Sequence, residues 1–283
     1  MKNKNIFLSV KDHSVSGEYF DLSYNKYRDI LETIPQPKPE SLERYYKSED
    51  YISHTDSKRN LLEYAYHLVR KVALKRKLHL INSFELSGSS LLDVGCGTGD
   101  FLKRAKDNNW NISGIEPNPD ARKIANEKTK DSVFEIEQLK CFKTERFDVI
   151  TLWHVLEHLP DLEEHIKAFS HLLKPNGRLI IAVPNYNAYD AKFYNVFWAA
   201  YDVPRHLWHF SQTGIKRIFK AFSFQLEKTL PMKFDAYYVS LLSEKNKKGF
   251  MNPLAAFWVG FKSNVKAKRS GEYSSLIYIF KKG

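Results

Sequence analysis

Hydrophobic and polar residues follow one another in blocks that predict strands alternating with helices. An apolar run from Leu91 to Val94 is followed by three alternate glycines and then by apolar residues at helical spacing. This pattern predicts a buried strand, a tight turn and a helix. Further apolar runs predict strands at 111–116, 132–136, 146–152, 178–183, 224–230 and 275–280. The alternation is typical of an α/β fold with a doubly wound parallel sheet.

The segments outside this pattern predict additions to one main domain. Residues 1–58 are predicted to form an N-terminal extension, because three prolines near its middle impose an extended linker. Residues 59–283 are predicted to form the main domain, which begins with an amphipathic helix at about 60–82.

Two aromatic segments are predicted as insertions in the main domain. Residues 185–211 contain nine aromatic side chains and follow the fifth strand. They form either a cap that lines an apolar substrate pocket or a helical hairpin that fills the core. In residues 234–272, apolar stretches flank a basic cluster around Lys247. This second insertion fits a docking surface for a partner or, through peripheral contact, for a membrane.

Composition and charge narrow the classes of partner. The 283-residue chain has a net charge of +11, which suggests an anionic partner or surface. The lysines and arginines are spread along the chain, which favours solvated faces over a nucleic-acid groove. Two cysteines provide neither a disulfide framework nor a metal cluster. The N-terminus lacks the apolar core of a signal peptide, so we expect a cytoplasmic location.

The glycine turn predicts a site for a positively charged ligand. Asp93 ends the apolar strand, where a carboxylate is unfavourable unless a cation or hydrogen-bond donors meet it. Nicotinamide dinucleotides bind similar turns, but their fingerprint requires glycine at the sixth position, where this chain has Asp100. Glu116 ends the next strand, where an acid can accept both hydroxyls of a ribose. A purely structural turn is the alternative.

The string Asp-Val-Gly-Cys-Gly-Thr-Gly at 93–99 resembles the first motif of class I S-adenosylmethionine-dependent methyltransferases. The whole chain resembles a bacterial group of small-molecule methyltransferases similar to those of ubiquinone precursors. This resemblance implies a Rossmann-like, mostly parallel seven-stranded sheet with an antiparallel last pair, and S-adenosylmethionine as cofactor. The residues that it assigns to cofactor binding are Asp93, Gly95, Cys96, Gly97, Thr98, Gly99, Glu116, Pro117, Asn118, Glu137, Leu152, Trp153 and His154.

The string from Trp153 to Asp161 resembles the fourth motif of the same family and contains a histidine cluster. If this string is helical, His154 and His158 share a face, with Glu157 adjacent. Structural histidines and a general base for a hydroxyl acceptor are two interpretations. Metal ligands are the third, because related quinone-precursor O-methyltransferases bind a divalent metal through Glu-x-x-Glu-His. His154 replaces the first acid of that pattern, and we assign no metal site.

A later string at 202–210 matches one that recurs in the same group and adds His206 as a candidate base. The candidate catalytic residues are therefore His154, His158 and His206. We expect methyl transfer from S-adenosylmethionine to a small aromatic or lipid-like acceptor, with a hydroxyl as the preferred group. An RNA-directed O-methyltransferase and a non-catalytic protein that binds S-adenosylmethionine are the alternatives. The pattern does not determine the oligomeric state.

Overall fold

The structure of the protein is a computed structural model. It describes residues 6–27, 29–38, 41, 43–46 and 61–283, with side chains of the last range from residue 69 onward. The predicted boundary between residues 58 and 59 lies outside the described residues. The side chains in the first two turns of the helix predicted at 60–82 also lie outside them.

Strands and helices alternate through most of the described residues. The strands are β1 (Ile6–Lys11), β2 (Tyr19–Tyr24), β3 (Ile30–Ile34), β4 (Ser90–Val94), β5 (Asn111–Ile115), β6 (Val133–Phe134), β7 (Phe147–Trp153), β8 (Leu173–Pro184), β9 (Trp208–Phe210), β10 (Phe224–Pro231) and β11 (Ser275–Lys282). The α-helices are α1 (Leu61–Asn82), α2 (Asp100–Lys106), α3 (Pro119–Thr129), α4 (Leu162–Leu172), α5 (Tyr189–Tyr194), α6 (Gln212–Ala221), α7 (Asp235–Lys248) and α8 (Pro253–Ser270). The strand predicted at 132–136 is shorter than expected, because Ile136 begins a 3-10 helix.

The central sheet has seven strands in the order β10-β11-β8-β7-β4-β5-β6. The five strands from β8 to β6 are parallel, whereas β11 is antiparallel to both β8 and β10. The predicted fold class, including the antiparallel last pair, is confirmed. The strand order reverses between β4 and β7, and ligands of doubly wound sheets bind beyond the carboxyl ends of the strands at such a point.

A second sheet of four antiparallel strands joins the N-terminal extension to the aromatic segment 185–211. Strands β1, β2 and β3 pair in sequence, and β3 pairs with β9. Arg205 reinforces this junction, because its guanidinium donates to Asp12 at 3.0 Å, to Asp202 at 2.7 Å and to the Tyr45 carbonyl at 2.9 Å. The extension therefore packs against the aromatic segment.

The aromatic segment forms a hydrophobic core of its own beneath that sheet. Tyr194, Trp198 and Tyr201 are almost completely buried and belong to one cluster with Phe20 of β2. The Trp198 indole N–H donates to the buried carboxylate of Asp190 at 2.9 Å. Of the two interpretations that the sequence leaves open, the structure favours the segment that fills a core.

Helices α7 and α8 form a hairpin that packs on α5 and on the 3-10 turns of the aromatic segment. The apolar stretches on either side of the basic cluster around Lys247 lie on these two helices. None of the helices in the described part of the chain combines the length and the hydrophobicity that a membrane span requires.

Candidate functional site

The glycine turn lies between β4 and α2, beside the point where the strand order reverses. Gly95, Gly97 and Gly99 have φ angles of 69°, 56° and 76°, a region that disfavours residues with a Cβ atom. At Gly95 a Cβ atom would lie 2.4 Å from Val155, whereas at Gly97 it would meet no described atom within 4 Å. The turn is therefore packed on one side and open at Gly97, where its backbone can approach a ligand.

Glu116, directly after β5, is oriented towards this turn. Its carboxylate accepts the Gly97 N–H at 2.8 Å and the Asn118 N–H at 3.0 Å. Burial raises the pKa of Glu116, although these backbone donors oppose the shift. Asn118 also caps α3 by accepting the N–H groups of Asp120 and Ala121. The start of α3 and the glycine turn thus fix the position of this carboxylate.

Asp93, which is buried, and Lys77, which is half-buried, carry opposite charges that interact near the turn. Asp93 is 3% exposed and accepts a hydrogen bond from Thr151 Oγ1 at 2.6 Å, and burial raises its pKa to about 6. The Lys77 ammonium lies 4.4 Å from the ring centroid of Trp153 and 5.9 Å from that of Phe101. Burial lowers the pKa of Lys77 to about 8, although Asp93 opposes the shift. The Lys77 ammonium thus contacts the aromatic faces, and the Asp93 carboxylate is the group of this site that suits a cationic ligand.

The other residues assigned to the cofactor by resemblance lie in the loops and strand ends of the same edge of the sheet: Cys96, Thr98, Pro117, Leu152 and Trp153. Burial raises the pKa of the Cys96 thiol, so this cysteine stays protonated and is not a nucleophile. Glu137 lies on the 3-10 helix Ile136–Lys140 and lines a groove of about 410 Å³ beside β6.

His154 and His158 do not share a helical face, so the geometry expected from the sequence is wrong. His154 has a left-handed backbone with a φ of 57°, and the 3-10 helix that follows begins at Leu156. His154 Nε2 lies 3.1 Å from Asp235 Oδ2, and Nδ1 lies 3.4 Å from Glu157 Oε1. Burial opposes protonation, but these two carboxylates raise the pKa of His154 to about 10. At neutral pH this imidazolium links the end of β7 to α7.

His158 and His206 form a separate pair whose ring centroids are 4.6 Å apart. His158 Nδ1 lies 3.1 Å from the Arg205 carbonyl oxygen, and His206 Nδ1 lies 2.9 Å from that of Ala200. Because a carbonyl oxygen only accepts, both Nδ1 atoms carry protons, and both Nε2 atoms are directed away from these carbonyls. Burial and the nearby His206 lower the pKa of His158 to about 4, so its ring is neutral at pH 7.

The carboxylate of Glu157 completes this cluster. Glu157 is 1% exposed, and neither of its oxygens has a hydrogen-bond partner among the described residues. Burial favours the protonated form, but His154 and the two other histidines keep the pKa of Glu157 below its usual value. Ligand atoms of Glu157, His158 and His206 all lie within 4.8 Å of one another. This group can accept a proton, bind a polar substrate or hold a metal ion.

Sequence reasoning did not identify Lys77, Asp202 or Asp235 as site residues. Lys77 lies on a helix whose basic residues are typical of a solvated face. Asp202 and Asp235 belong to the two aromatic segments, and no motif spacing connects them to the glycine turn. The sequence identified His206 as a candidate base by itself, but only the structure shows that it lies close to Glu157.

Comparison with known families identifies this architecture. Residues 64–229 match the model of a family described as a methyltransferase domain, which is more than half of the chain. The chain belongs to this methyltransferase family. S-adenosylmethionine is accordingly its methyl donor, and the predictions of the family, the enzyme class and the cofactor are confirmed.

Curated relatives match part of this methyltransferase. A ubiquinone biosynthesis O-methyltransferase from Coxiella burnetii is 28% identical over 141 residues, which are 48% of this chain and 58% of the relative. Its counterpart from Xylella fastidiosa is 34% identical over 107 residues, which are 35% of this chain and 44% of the relative. The chain thus spans about half the length of the curated relatives that it matches.

Solved structures share the fold of this methyltransferase at low sequence identity. A magnesium protoporphyrin IX methyltransferase from Synechocystis has a TM-score of 0.54 at 13% identity, covering 85% of this chain and 92% of that chain. A geranyl diphosphate methyltransferase has a TM-score of 0.54 at 12% identity, covering 77% and 80%. At these identities the likeness concerns the fold alone.

Proposed function

We propose that this methyltransferase transfers its methyl group to a hydroxyl of a small aromatic or lipid-like acceptor. The observation that carries the proposal is the grouping of His158 and His206 near the loop after β7, with both Nδ1 atoms engaged by backbone carbonyls and both Nε2 atoms left for a substrate. Val155 of that loop packs against Gly95 of the donor turn. A hydroxyl loses its proton as it is methylated, so a histidine at this position can serve as the general base that accepts the proton. The curated relatives named above are O-methyltransferases, which supports the same acceptor atom.

The residues assigned by resemblance fit S-adenosylmethionine at the turn. Glu116 would accept the ribose hydroxyls, because its carboxylate is already fixed at the end of β5. Asp93 and Lys77 would meet the ammonium and the carboxylate of the methionine part, respectively, since their opposite charges interact near the turn. Glu137 would lie on the side of the adenine.

His206 is the base that the geometry supports best. His154 is already protonated at neutral pH, and His158, whose pKa is about 4, binds a proton weakly. His206 Nε2 lies 4.0 Å from Asp202 Oδ2 and faces the cluster that contains Glu157. Both carboxylates would stabilise an imidazolium formed on His206.

The reaction needs little covalent chemistry from the protein. The sulfonium of the bound donor supplies an electrophilic methyl carbon. The chain would orient the acceptor oxygen in line with that carbon, and its buried strand ends would exclude water. As the oxygen–carbon bond forms and the carbon–sulfur bond breaks, His206 Nε2 would take the hydroxyl proton. Glu157 and Asp202 would stabilise the positive charge of the imidazolium formed on His206.

Turnover of S-adenosylmethionine with a panel of phenols, catechols and lipid-like alcohols tests the proposal. His206→Gln should lower kcat roughly 100-fold and leave the Kd for S-adenosylmethionine unchanged. The control is His171→Gln, since His171 is exposed at the end of α4. A His206→Gln enzyme with wild-type kcat would exclude the base. Donor binding without turnover of any acceptor would favour the non-catalytic alternative, and turnover with RNA alone would favour the RNA-directed one.

Calorimetric titration with S-adenosylmethionine tests the donor site separately. Asp93→Asn and Glu116→Gln should each raise Kd by roughly tenfold or more, whereas Cys141→Ser, at an exposed cysteine, should not. Because the pKa of Asp93 is about 6, the wild-type affinity should fall as the pH drops below 6 and the carboxylate is protonated. The Asp93→Asn variant should lose that pH dependence, and a wild-type Kd in both acid variants would exclude this donor site.

A divalent metal ion at Glu157, His158 and His206 is a second candidate feature. Their chemistry fits a metal, because each imidazole donates its Nδ1–H to a backbone carbonyl and offers Nε2, and the carboxylate lacks a hydrogen-bond partner among the described residues. A bound ion would polarise an acceptor oxygen. Metal analysis of the purified protein, with His158→Gln as the variant, tests this. If the wild-type protein contains one metal ion per chain and His158→Gln contains none, His206 would be assigned as a metal ligand and not as a base.

A further inference from the structure

The hairpin of α7 and α8 exposes its large apolar side chains to solvent. On α8 these residues recur at three- and four-residue steps and form one continuous stripe. Leu254 is 78% exposed and Trp258 is 58% exposed. The stripe and the turn that precedes α8 consist of Phe250, Met251, Leu254, Phe257, Trp258, Phe261 and Val265. We call this set the exposed stripe.

The buried residues of the hairpin are mostly small, and they include alanines and valines as well as serines. Ser263 donates to the buried carboxylate of Asp190 at 2.6 Å, and Ser243 Oγ accepts the Ala199 N–H at 2.9 Å. A Cβ atom on Gly260 would lie 2.8 Å from the Tyr237 ring. A helix on the surface of a water-soluble core normally buries its apolar stripe. In this hairpin the large apolar side chains lie on the outer side, as in helices whose outer side contacts an apolar phase.

Basic residues surround the exposed stripe, and the acidic residues of the hairpin are engaged elsewhere. Residues 235–270 contain seven lysines and arginines but two acids. Asp235 pairs with His154, and Glu244 contacts Tyr194 and Lys248. The exposed basic residues are Lys247, Lys248, Lys262, Lys266, Lys268 and Arg269. The outer surface is therefore apolar along its centre and positively charged around it.

We propose that the exposed stripe docks on the surface of a bilayer that contains anionic phospholipids. Aromatic and aliphatic side chains would enter the boundary between headgroups and acyl chains, and the lysines would meet the phosphates. A nucleic acid would use the lysines but leave the aliphatic part of the stripe in water. A second copy of the chain would bring the same positive charge against itself. Both are less favourable occupants of this surface.

Docking would also orient the candidate site. Helix α7 begins at Asp235, which pairs with His154 at the end of β7. The hairpin is therefore tied directly to the loop that carries Glu157, and membrane contact would bring this loop close to the bilayer. Delivery of a lipid-like acceptor from the bilayer is a consequence that rests on the proposed function, whereas the docking itself does not.

Co-sedimentation of the full-length protein with phospholipid vesicles tests the docking. Vesicles of phosphatidylcholine with about 30% phosphatidylglycerol should bind the protein, and vesicles of phosphatidylcholine alone should bind it more weakly. High salt, about 0.5 M, should weaken the anionic binding. Trp258 is the most exposed tryptophan of the described residues, so its fluorescence should shift to shorter wavelength on binding. Wild-type protein that stays in the supernatant with both vesicle types would overturn the proposal.

Two pairs of variants separate the stripe from general surface effects. Leu254→Ser with Trp258→Ser should weaken anionic binding by roughly tenfold or more, whereas Ile6→Ser with Tyr19→Ser, at equally exposed positions on β1 and β2, should not. Lys262→Glu with Lys266→Glu should weaken it similarly, and Lys123→Glu with Lys143→Glu should not. Because these side chains are exposed, circular dichroism should show folded variants. Unchanged vesicle binding by both the Leu254/Trp258 and the Lys262/Lys266 double variants would overturn the proposal. It would also be overturned if the wild type is a dimer in solution and Leu254→Ser with Trp258→Ser makes it monomeric. Tight RNA binding without vesicle binding would overturn it too.

Discussion

The aromatic segment 185–211 and the α7–α8 hairpin are similar in composition but opposite in exposure. Both are rich in aromatic residues, and both interrupt the strand–helix alternation of the central sheet. In the first, Trp198 is 2% exposed, whereas in the second Trp258 is 58% exposed. The difference lies in what covers each segment, since the N-terminal sheet packs over the first and no described residue covers the outer side of the second.

The comparison shows that residue type alone does not determine burial. Arg205 fastens the N-terminal sheet to the aromatic segment through Asp12 and the Tyr45 carbonyl. The hairpin instead contacts the aromatic segment through small side chains, with Ser263 hydrogen-bonded to Asp190 and with Val239 and Val259 in the same buried cluster. The first segment thus acts as a core, whereas the second presents a surface.

The largest effect should come from truncating one buried tryptophan. Trp198→Ala removes a buried ring and its hydrogen bond to Asp190, so it should lower the free energy of unfolding by about 3–5 kcal/mol. Trp258→Ala should change it by less than about 0.5 kcal/mol, because that ring is mostly in water. Urea denaturation of both variants measures the difference. Similar losses in the two variants would contradict the contrast between core and surface.

Removal of the Arg205 guanidinium should uncover the aromatic segment. Arg205→Ala leaves the buried carboxylate of Asp12 without its cation, which should cost about 3 kcal/mol. Limited proteolysis should then cut residues 6–34 faster than in the wild type. Arg44→Ala is the control, because its pair with Glu18 is exposed and should contribute little. If residues 6–34 of Arg205→Ala are cut no faster than those of the wild type, the pairing of β3 with β9 is enough to hold the N-terminal sheet in place without Arg205.

An added methyl group on the inner face of the hairpin should be destabilising. Gly260→Ala places a Cβ atom against the Tyr237 ring and the Ala236 carbonyl oxygen. The free-energy cost of overpacking should exceed the gain from the higher helix propensity of alanine. We therefore expect urea denaturation to show a free energy of unfolding lower by about 1–2 kcal/mol. Lys262→Ala, at an exposed position of the same helix, should be neutral or slightly stabilising. A stabilised Gly260→Ala would mean that the two helices can move apart easily.

The smallest effect concerns the charge that ties the hairpin to the site. The pKa of His154 is raised from its ordinary value to about 10 by Asp235 and Glu157. Its contribution to stability is therefore complete below about pH 6.5 and is lost as the pH rises towards and through 10. His154→Gln should lower Tm at pH 6 by roughly 2–5 °C and have little effect near pH 10. A pH-independent difference in Tm would exclude the imidazolium pair.

Much of the fold, including the glycine turn, can be predicted from the local sequence. Asn118 and the proline after it begin α3 where the pattern predicts, and the glycine turn has the positive φ angles that its composition favours. The prediction of His154 and His158 on one helical face was wrong, because a left-handed residue at His154 precedes a single 3-10 turn. Spacing predicts helical faces only where the backbone is helical.

The sequence by itself determined the class of sheet and the glycine turn with an acid at the end of each adjoining strand, because strand and turn signals depend on neighbouring residues. The tertiary structure decided that His206 joins Glu157 and His158, that Lys77 interacts electrostatically with Asp93, and that one aromatic segment is buried while the other is exposed. These groupings depend on contacts between residues far apart in the chain. Such contacts form only once the sheet, the N-terminal extension and the helices have packed.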